Sequence, residues 1–331
     1  MRPSGHTFKT EMIPHIAHFE FSGEIRWGIV AGDSLGLLDE RYSSTADLLL
    51  DREHIFRTAQ DEQEKLQKIK LSDVKLLSPV VGNKRVICQG ANYRQHMIES
   101  GMDPDAKSYN MFFNKSSASI CSPRERIIRP RHVSLLDYEI ELGLVIGQAI
   151  NKQTEVQKEN LGDYIGAIVI ANDISARDIQ IPETQFFKGK SYRTFCPVGP
   201  YLCLLSQDSI PYLDQLDLEL KVNGETRQRD NTENLVFKPA ETLTELSSFT
   251  DLDVGDLVLT GTPSGCALQI PSPTVVKLFS LLPESVRWKL FKRIQGKREQ
   301  YLQPDDKIEA RIHSRDQKIH LGCQHNQIVE A

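Results

Sequence analysis

The chain has 331 residues, of which 39% are hydrophobic and 26% charged. These proportions exclude a largely disordered protein, and the length allows two domains or one large domain with a small companion. A net charge of −5 offers nucleic acid no chain-wide attraction, and no apolar run nears the roughly 20 residues that span a bilayer.

The opening segment MRPSGHTFKTEMIPHIAHFE has no apolar signal core and carries Glu11 early, so no secretion signal is read. Residues 17–50 read as strands and turns: an apolar run at 25–30, turn chemistry in AGDS at 31–34, and apolar residues again at 35–38. Residues 51–70 are so charged that a solvated helix or linker is expected. A boundary near 70–80 divides a small β-rich N-terminal domain (1–75) from the body (80–331). Residues 85–265 are strand-rich with Gly and Pro breaks, which favours a β-rich, mixed-sheet α+β fold over a doubly wound sheet. Residues 271–300 break this pattern. Pro283 divides them, and Val286, Trp288, Leu290, Phe291 and Ile294 follow at roughly helical spacing among six basic residues. Strands resume at 307–312 and 318–321. The six cysteines include no CxxC pair, which suits reduced thiols packed as small hydrophobes in a cytoplasmic protein.

LDYEIELGLVIG, 136–147, is the most informative stretch. Residues two apart on a strand share a face, so Glu139 and Glu141 point the same way, while Ile140, Leu142, Leu144 and Ile146 suit a core. Two like charges side by side repel, so a metal, a pair of cations or open water must compensate. Further on, the apolar strand in IGAIVIANDISARD ends at Asp173, a third carboxylate. Three carboxylates suit Mg²⁺ or Mn²⁺, with Ca²⁺ a further candidate, rather than zinc. On spacing alone two readings stand: a ligand set, or two solvent-facing strand residues with Asp173 as a cap.

Taken in order, several segments resemble the fumarylacetoacetate hydrolase superfamily. They are GANYRQHMIESG (90–101), FFNKSSASI (112–120), LDYEIELGLVIG, GAIVIANDISARDIQ (166–180), FFKGKSYRTFCPVGP (186–200), VNGETRQ (222–228) and VGDLVLTGTPSG (254–265). The resemblance runs from about residue 85 to 325. It implies a β-roll catalytic domain, a homodimer, and a divalent metal on Glu139, Glu141 and Asp173. It also implies chemistry on short 2-oxo and diketo acids: C–C bond hydrolysis, decarboxylation or keto–enol isomerisation. A Lewis acid at the carboxylates would stabilise the enolate common to all three.

His96 and Glu99, three apart, share a face of a helical turn, where His96 could activate water as a general base, with Glu99 orienting that histidine or binding the water; the alternative is an ordinary surface helix. Within the resemblance Lys190 binds a substrate carboxylate or an oxyanion, while Lys188 is read as a surface lysine. Arg177 either clamps the substrate carboxylate or pairs with the acidic cluster. Gln180 faces the pocket and Asp178 lies behind it. Thr262 offers its hydroxyl to the substrate, or belongs to a turn made by Gly261 and Pro263. Lys115 and Ser117 are weaker candidates, because the end of a core-facing strand explains them equally well.

The sequence departs from the family after GTPSG. About 30 extra residues intervene, and Asp305 stands where the family's turn has Gly. The insert is a packed helical pair, a lid, or a dimer contact; membrane is disfavoured by its shortness. As a lid it would imply a larger hydrophobic acyl group on the substrate. The first expectation is therefore a metal-dependent C–C hydrolase of an acylpyruvate-like β-diketo acid. An oxaloacetate-type decarboxylase or a keto–enol isomerase at the same site is the alternative, and a non-catalytic 2-oxo-acid-binding relative comes third. The expected partner is a small 2-oxo or diketo acid, with no nucleic acid.

Overall fold

The computed structural model describes residues 12–83, 85–107, 109–269, 279 and 281–331. Two sheets dominate. The larger has 11 strands, running from Lys68–Lys70 through Ser34–Leu37, Glu24–Ala31, His15–Phe21, Tyr201–Leu204, Ile165–Asn172, Ile140–Ile146, Leu257–Leu259 and Val86–Gly90 to Met111–Lys115, with Lys75–Leu77 added on His15–Phe21. The pairings are antiparallel except Leu257–Leu259 on Val86–Gly90, which makes the sheet mixed. The smaller, 5-stranded sheet is ordered Glu225–Asn231, Leu216–Val222, Lys307–Ser314, His320–Glu330 and Ile127–Arg129. The fold is α+β and β-rich, as the sequence indicates.

The N-terminal strands join the body by hydrogen bonding, with His15–Phe21 lying antiparallel to Tyr201–Leu204 in the register His15 to Cys203. The larger core lies between the sheets. Ile140, Leu142, Leu144 and Ile146 meet Leu216, Leu218, Leu220, Ile308 and Ile312 there. Val145, Val169 and Leu202 face the opposite side and are covered by Leu48, Leu49 and Ile55. Both faces of the central strands are thus dry, which explains their nearly continuous apolar runs.

Three local features differ from, or refine, the sequence reading. Thr45–Leu50 is a helix where strands and turns were expected, because Ser44 caps it by accepting a bond from the Asp47 N–H and Leu48 and Leu49 are buried. The charged stretch after it begins as the helix Arg52–Arg57. Asp305 itself adopts the left-handed conformation, φ 73°, and its N–H donates to Ile328 O at 2.9 Å. Asp tolerates that region better than most side chains, so the turn survives the loss of glycine. All six cysteines are free thiols. Among the described residues no helix is long and apolar enough to cross a membrane.

The described part of the insert is a helix, Glu284–Gln295, that starts directly after Pro283. Its Phe291 packs on the main core. Gln295 is buried and donates to Gln269 O at 2.8 Å, while Arg298 donates to Ala267 O at 2.8 Å and to Gln269 Oε1 at 2.5 Å. The helix therefore holds the loop 267–269. The first half of the insert, 270–278, lies outside the described residues.

Candidate active site

The acidic strand brings Glu139 and Glu141 to one face, and its neighbour Ile165–Asn172 delivers Asp173 just beyond its end. All three carboxylates are buried, and one oxygen from each lies within 4.8 Å of the others. Such a cluster survives only because cations enter it. Lys190 Nζ bonds to Glu139 Oε2 and, at 2.6 Å, to Asp173 Oδ2. Lys115 Nζ donates to Asp173 Oδ1 at 2.6 Å. Arg177 reaches Glu139 Oε1 at 2.5 Å and Asp137 Oδ2 at 2.8 Å.

Close packing makes this convergence possible. The helices Arg177–Glu183 and Phe186–Lys190 touch at Gly189, where a Cβ would stand 2.8 Å from Gln180 N. The missing side chain lets Lys190 and Arg177 reach one cluster. Gly261 has φ 86°, and its N–H donates to Glu141 Oε2 at 2.7 Å. A side chain there would crowd Asn92, with Cβ 2.9 Å from Asn92 Cβ.

The charges are not balanced within the protein. Four buried carboxylates, counting Asp137, face the three cations Arg177, Lys190 and Lys115. Burial pushes the Glu139 carboxyl up, but Arg177 and Lys190 together outweigh it and hold it below its ordinary range. Glu141 meets the N–H of Gly261 but, among the described residues, no cation at bonding distance. Burial, then the Asp173 and Glu139 carboxylates, push its pKa well above the ordinary value. Burial disfavours the Lys190 ammonium, yet Asp173 and Glu139 raise its pKa above the usual value. With all four carboxylates ionised, this acceptor-only oxygen set carries one negative charge more than its cations and fits a hard divalent cation.

The cluster forms the floor of a cleft of about 580 Å³. His96, Glu99, Glu139, Glu141, Arg177, Gln180, Lys190 and Thr262 all line it, and Asp173 lies beneath. The helix Arg94–Glu99 carries His96, partly exposed, and Glu99, exposed, to the cleft. Burial lowers the His96 pKa, an effect the Glu139 carboxylate only partly offsets. Arg177 also donates to Gln180 Oε1 at 2.8 Å, which orients that amide.

The remaining candidates separate by their bonds. The Thr262 hydroxyl donates to Ile140 O at 3.0 Å and accepts from Gln228 at 2.8 Å, so it fastens the turn to the acidic strand. Lys188 is exposed and pairs with Glu183 at 2.6 Å. Asp178 accepts from the Ser134 N–H and hydroxyl at 2.9 and 2.8 Å, tying its helix to a neighbouring loop. Lys115, a lesser candidate in the sequence, has a fully buried ammonium on Asp173. Ser117 lies in a short 3-10 turn after that strand.

Three residues of the site escaped the sequence reading. Asp137 is fully buried and accepts from Arg177, Tyr138 N, Ala267 N and Leu268 N. Its place two before Glu139 was the available signal. Gln89 lines the cleft with a buried Oε1 that has no partner among the described residues. Cys266, whose thiol burial pushes up, lies 3.9 Å from Glu139 Oε1.

Fold and site together define a two-sheet α+β protein with a carboxylate-floored cleft. Residues 85–329 match the family described as fumarylacetoacetate (FAA) hydrolase, C-terminal. The chain belongs to the fumarylacetoacetate hydrolase family. It is 39% identical over 209 residues to oxaloacetate tautomerase YisK of Bacillus subtilis, covering 62% of this chain and 68% of that one. It resembles a structure described as a probable 2-hydroxyhepta-2,4-diene-1,7-dioate isomerase of Mycobacterium abscessus, with TM-score 0.72, 29% identity, and 97% and 99% of the two chains covered. It also resembles fumarylacetoacetate hydrolase of Exiguobacterium antarcticum, with TM-score 0.70, 26% identity, and 96% and 100% covered. These family relatives are named as enzymes, and their names span tautomerase, isomerase and hydrolase.

Proposed function

We propose that the protein is a divalent-metal-dependent hydrolase that cleaves a C–C bond in a β-diketo acid of the acylpyruvate type. The observation that carries this reading is the shared cleft: His96 and Glu99 line it together with Glu139 and Glu141, whose carboxylates cluster with that of Asp173. Glu139, Glu141 and Asp173 would hold Mg²⁺ or Mn²⁺, which when bound supplies a Lewis acid for the oxygens of a 2-oxo acid.

The chain's own groups do the rest. His96 is neutral near pH 7 because burial lowers its pKa, so it can take a proton from water. Glu99, one helical turn on, steadies that water. The water oxygen adds to the distal acyl carbonyl. The C–C bond then breaks, its electron pair passing to the carbon next to the 2-oxo group as an enolate. Protonation of that carbon gives pyruvate, and the acyl part leaves as a carboxylic acid. Lys190 and Arg177 bring positive charge to the floor where the substrate's carboxylate arrives.

A second reading is oxaloacetate keto–enol tautomerisation, favoured by the 39% identity to a protein of that name. It needs the same floor and only a proton relay. The test is an assay of acylpyruvates against oxaloacetate with Mg²⁺ or Mn²⁺ and an EDTA control, with products read by NMR. Pyruvate plus a free carboxylic acid supports the hydrolase. Enol–keto exchange of oxaloacetate, with acylpyruvates left intact, replaces it with the tautomerase.

A further inference from the structure

The walls of the cleft change character along three separate elements. On the strand Met111–Lys115, Lys115, Phe113 and Met111 share a face, because residues two apart point the same way. Lys115 is fixed on Asp173 at the deep end, and Phe113 and Met111 line the cleft above it. On the helix Phe186–Lys190, Lys190 is fixed on Glu139 and Asp173, and Phe186 stands one turn away on the same side. On the helix Arg177–Glu183, Arg177 is fixed on Glu139 and Asp137, and Ile181 stands one turn further. Each cation is therefore followed outward by an apolar side chain.

These side chains line one cleft, and two of them touch. The Phe113 and Phe186 rings meet edge to face with centroids 5.2 Å apart. Lys190 Nζ lies 5.2 Å from the Phe113 centroid, which marks the boundary between charged floor and apolar wall. From Lys115 to Met111 the strand spans roughly 13 Å. Arg177 and Lys190, the Lys and Arg side chains lining the cleft among the described residues, are both bonded to its carboxylates. The Glu99 carboxylate also lines the cleft and would repel a second acidic group.

We propose that this cleft selects a 2-oxo or 2,4-diketo monocarboxylate with an apolar tail, the carboxylate end on the floor and the tail along Phe113, Phe186, Met111 and Ile181, over short dicarboxylates. The inference rests on the reading of the site as one for 2-oxo acids and adds the far end of the substrate.

The test uses the full chain with Mn²⁺ and two series of acylpyruvates of matched length. One series ends in an alkyl group of increasing length and the other in a carboxylate. The expected kcat/KM rises about fourfold per added methylene until the wall is covered, and the carboxylate-ended compounds fall at least about tenfold below their alkyl counterparts. Met111→Arg should shift the carboxylate-to-alkyl ratio at least about tenfold toward carboxylate. A flat response to chain length, a preference for the dicarboxylates, or an unmoved ratio in M111R overturns the proposal. If no compound turns over, the hydrolase reading fails, and calorimetric binding of the matching 2-oxo acids still decides the tail. Tighter binding of longer alkyl chains sustains the inference, and equal or tighter binding of dicarboxylates defeats it.

Discussion

Asp137 provides the sharpest check on how the site is held together. Its carboxylate is fully buried and accepts from Arg177 Nε at 2.8 Å, Tyr138 N at 2.9 Å, Ala267 N at 2.7 Å and Leu268 N at 3.0 Å. Asp137→Ala removes all four acceptor contacts at once. Arg177 stays charged and buried with one partner fewer, and three backbone N–H groups lose the carboxylate that received them. Removing one member of a buried ion pair costs about 3–5 kcal/mol. Whole-protein stabilities are about 5–15 kcal/mol, so the change should shift the urea midpoint well to lower concentration. Asp137→Asn should recover only part of this, because its amide nitrogen donates where donors already converge. The double variant Asp137→Ala with Arg177→Met should be less harmed than the two single changes predict together, since both single changes lose the same Arg177–Asp137 bond. A loss below about 1 kcal/mol in the alanine variant would refute the assignment of Asp137 as the anchor of Arg177 and of the loop 267–269.

Other consequences can be checked together. Glu141 has its carboxyl pKa raised by burial and by the Asp173 and Glu139 carboxylates. Without metal, its contribution to stability is therefore present below the unfolded value of 4.5 and lost as pH rises through the raised folded value. Glu141→Gln should accordingly raise the melting midpoint in EDTA at neutral pH, and abolish the gain of about 2.7 kcal/mol that Mn²⁺ at a hundred times its Kd should give the unaltered protein. A lower midpoint in EDTA would contradict the charge imbalance. His96→Ala should lower kcat for an acylpyruvate by about 10²–10⁴, and the acid limb of kcat/KM in the unaltered protein should lie below the ordinary histidine value of 6.5. A loss under about tenfold would remove His96 as the base. His15 is held down to about 3 by burial and then by His320, against 6.5 when unfolded. The unfolded chain takes up this proton first, so stability is complete above about 6.5 and falls by up to about 1.4 kcal/mol per unit as pH drops toward 3. Denaturation at several pH values should show this slope, and His15→Phe should flatten it; an equal slope in the variant would rule out His15 as its source.

Much of the site can be read from local spacing, because backbone geometry fixes it. Glu139 and Glu141 share a face since a strand repeats every two residues, and His96 and Glu99 share one since a helix returns after three or four. The alternation of Ile140, Leu142, Leu144 and Ile146 names the face that meets the second sheet, and those residues do pack there. The helix at 45–50 was missed because it is short, and its cap shows only as a bond between Ser44 and Asp47.

Tertiary structure alone chose the partners across the chain. Lys115 could have been any lysine at a strand end until the fold laid its strand beside Asp173. Asp137 drew no reading from the sequence, and its role shows only where the loop 267–269 brings two N–H groups onto it. No local pattern pairs His15–Phe21 with Tyr201–Leu204, since sheet register depends on which surfaces are left to cover once the core has formed. The sequence by itself determined the carboxylates, their common face and the shared face of His96 and Glu99. The tertiary structure decided which cations neutralise those carboxylates and what walls rise above them, because both depend on contacts between segments that only packing of the whole chain brings within reach.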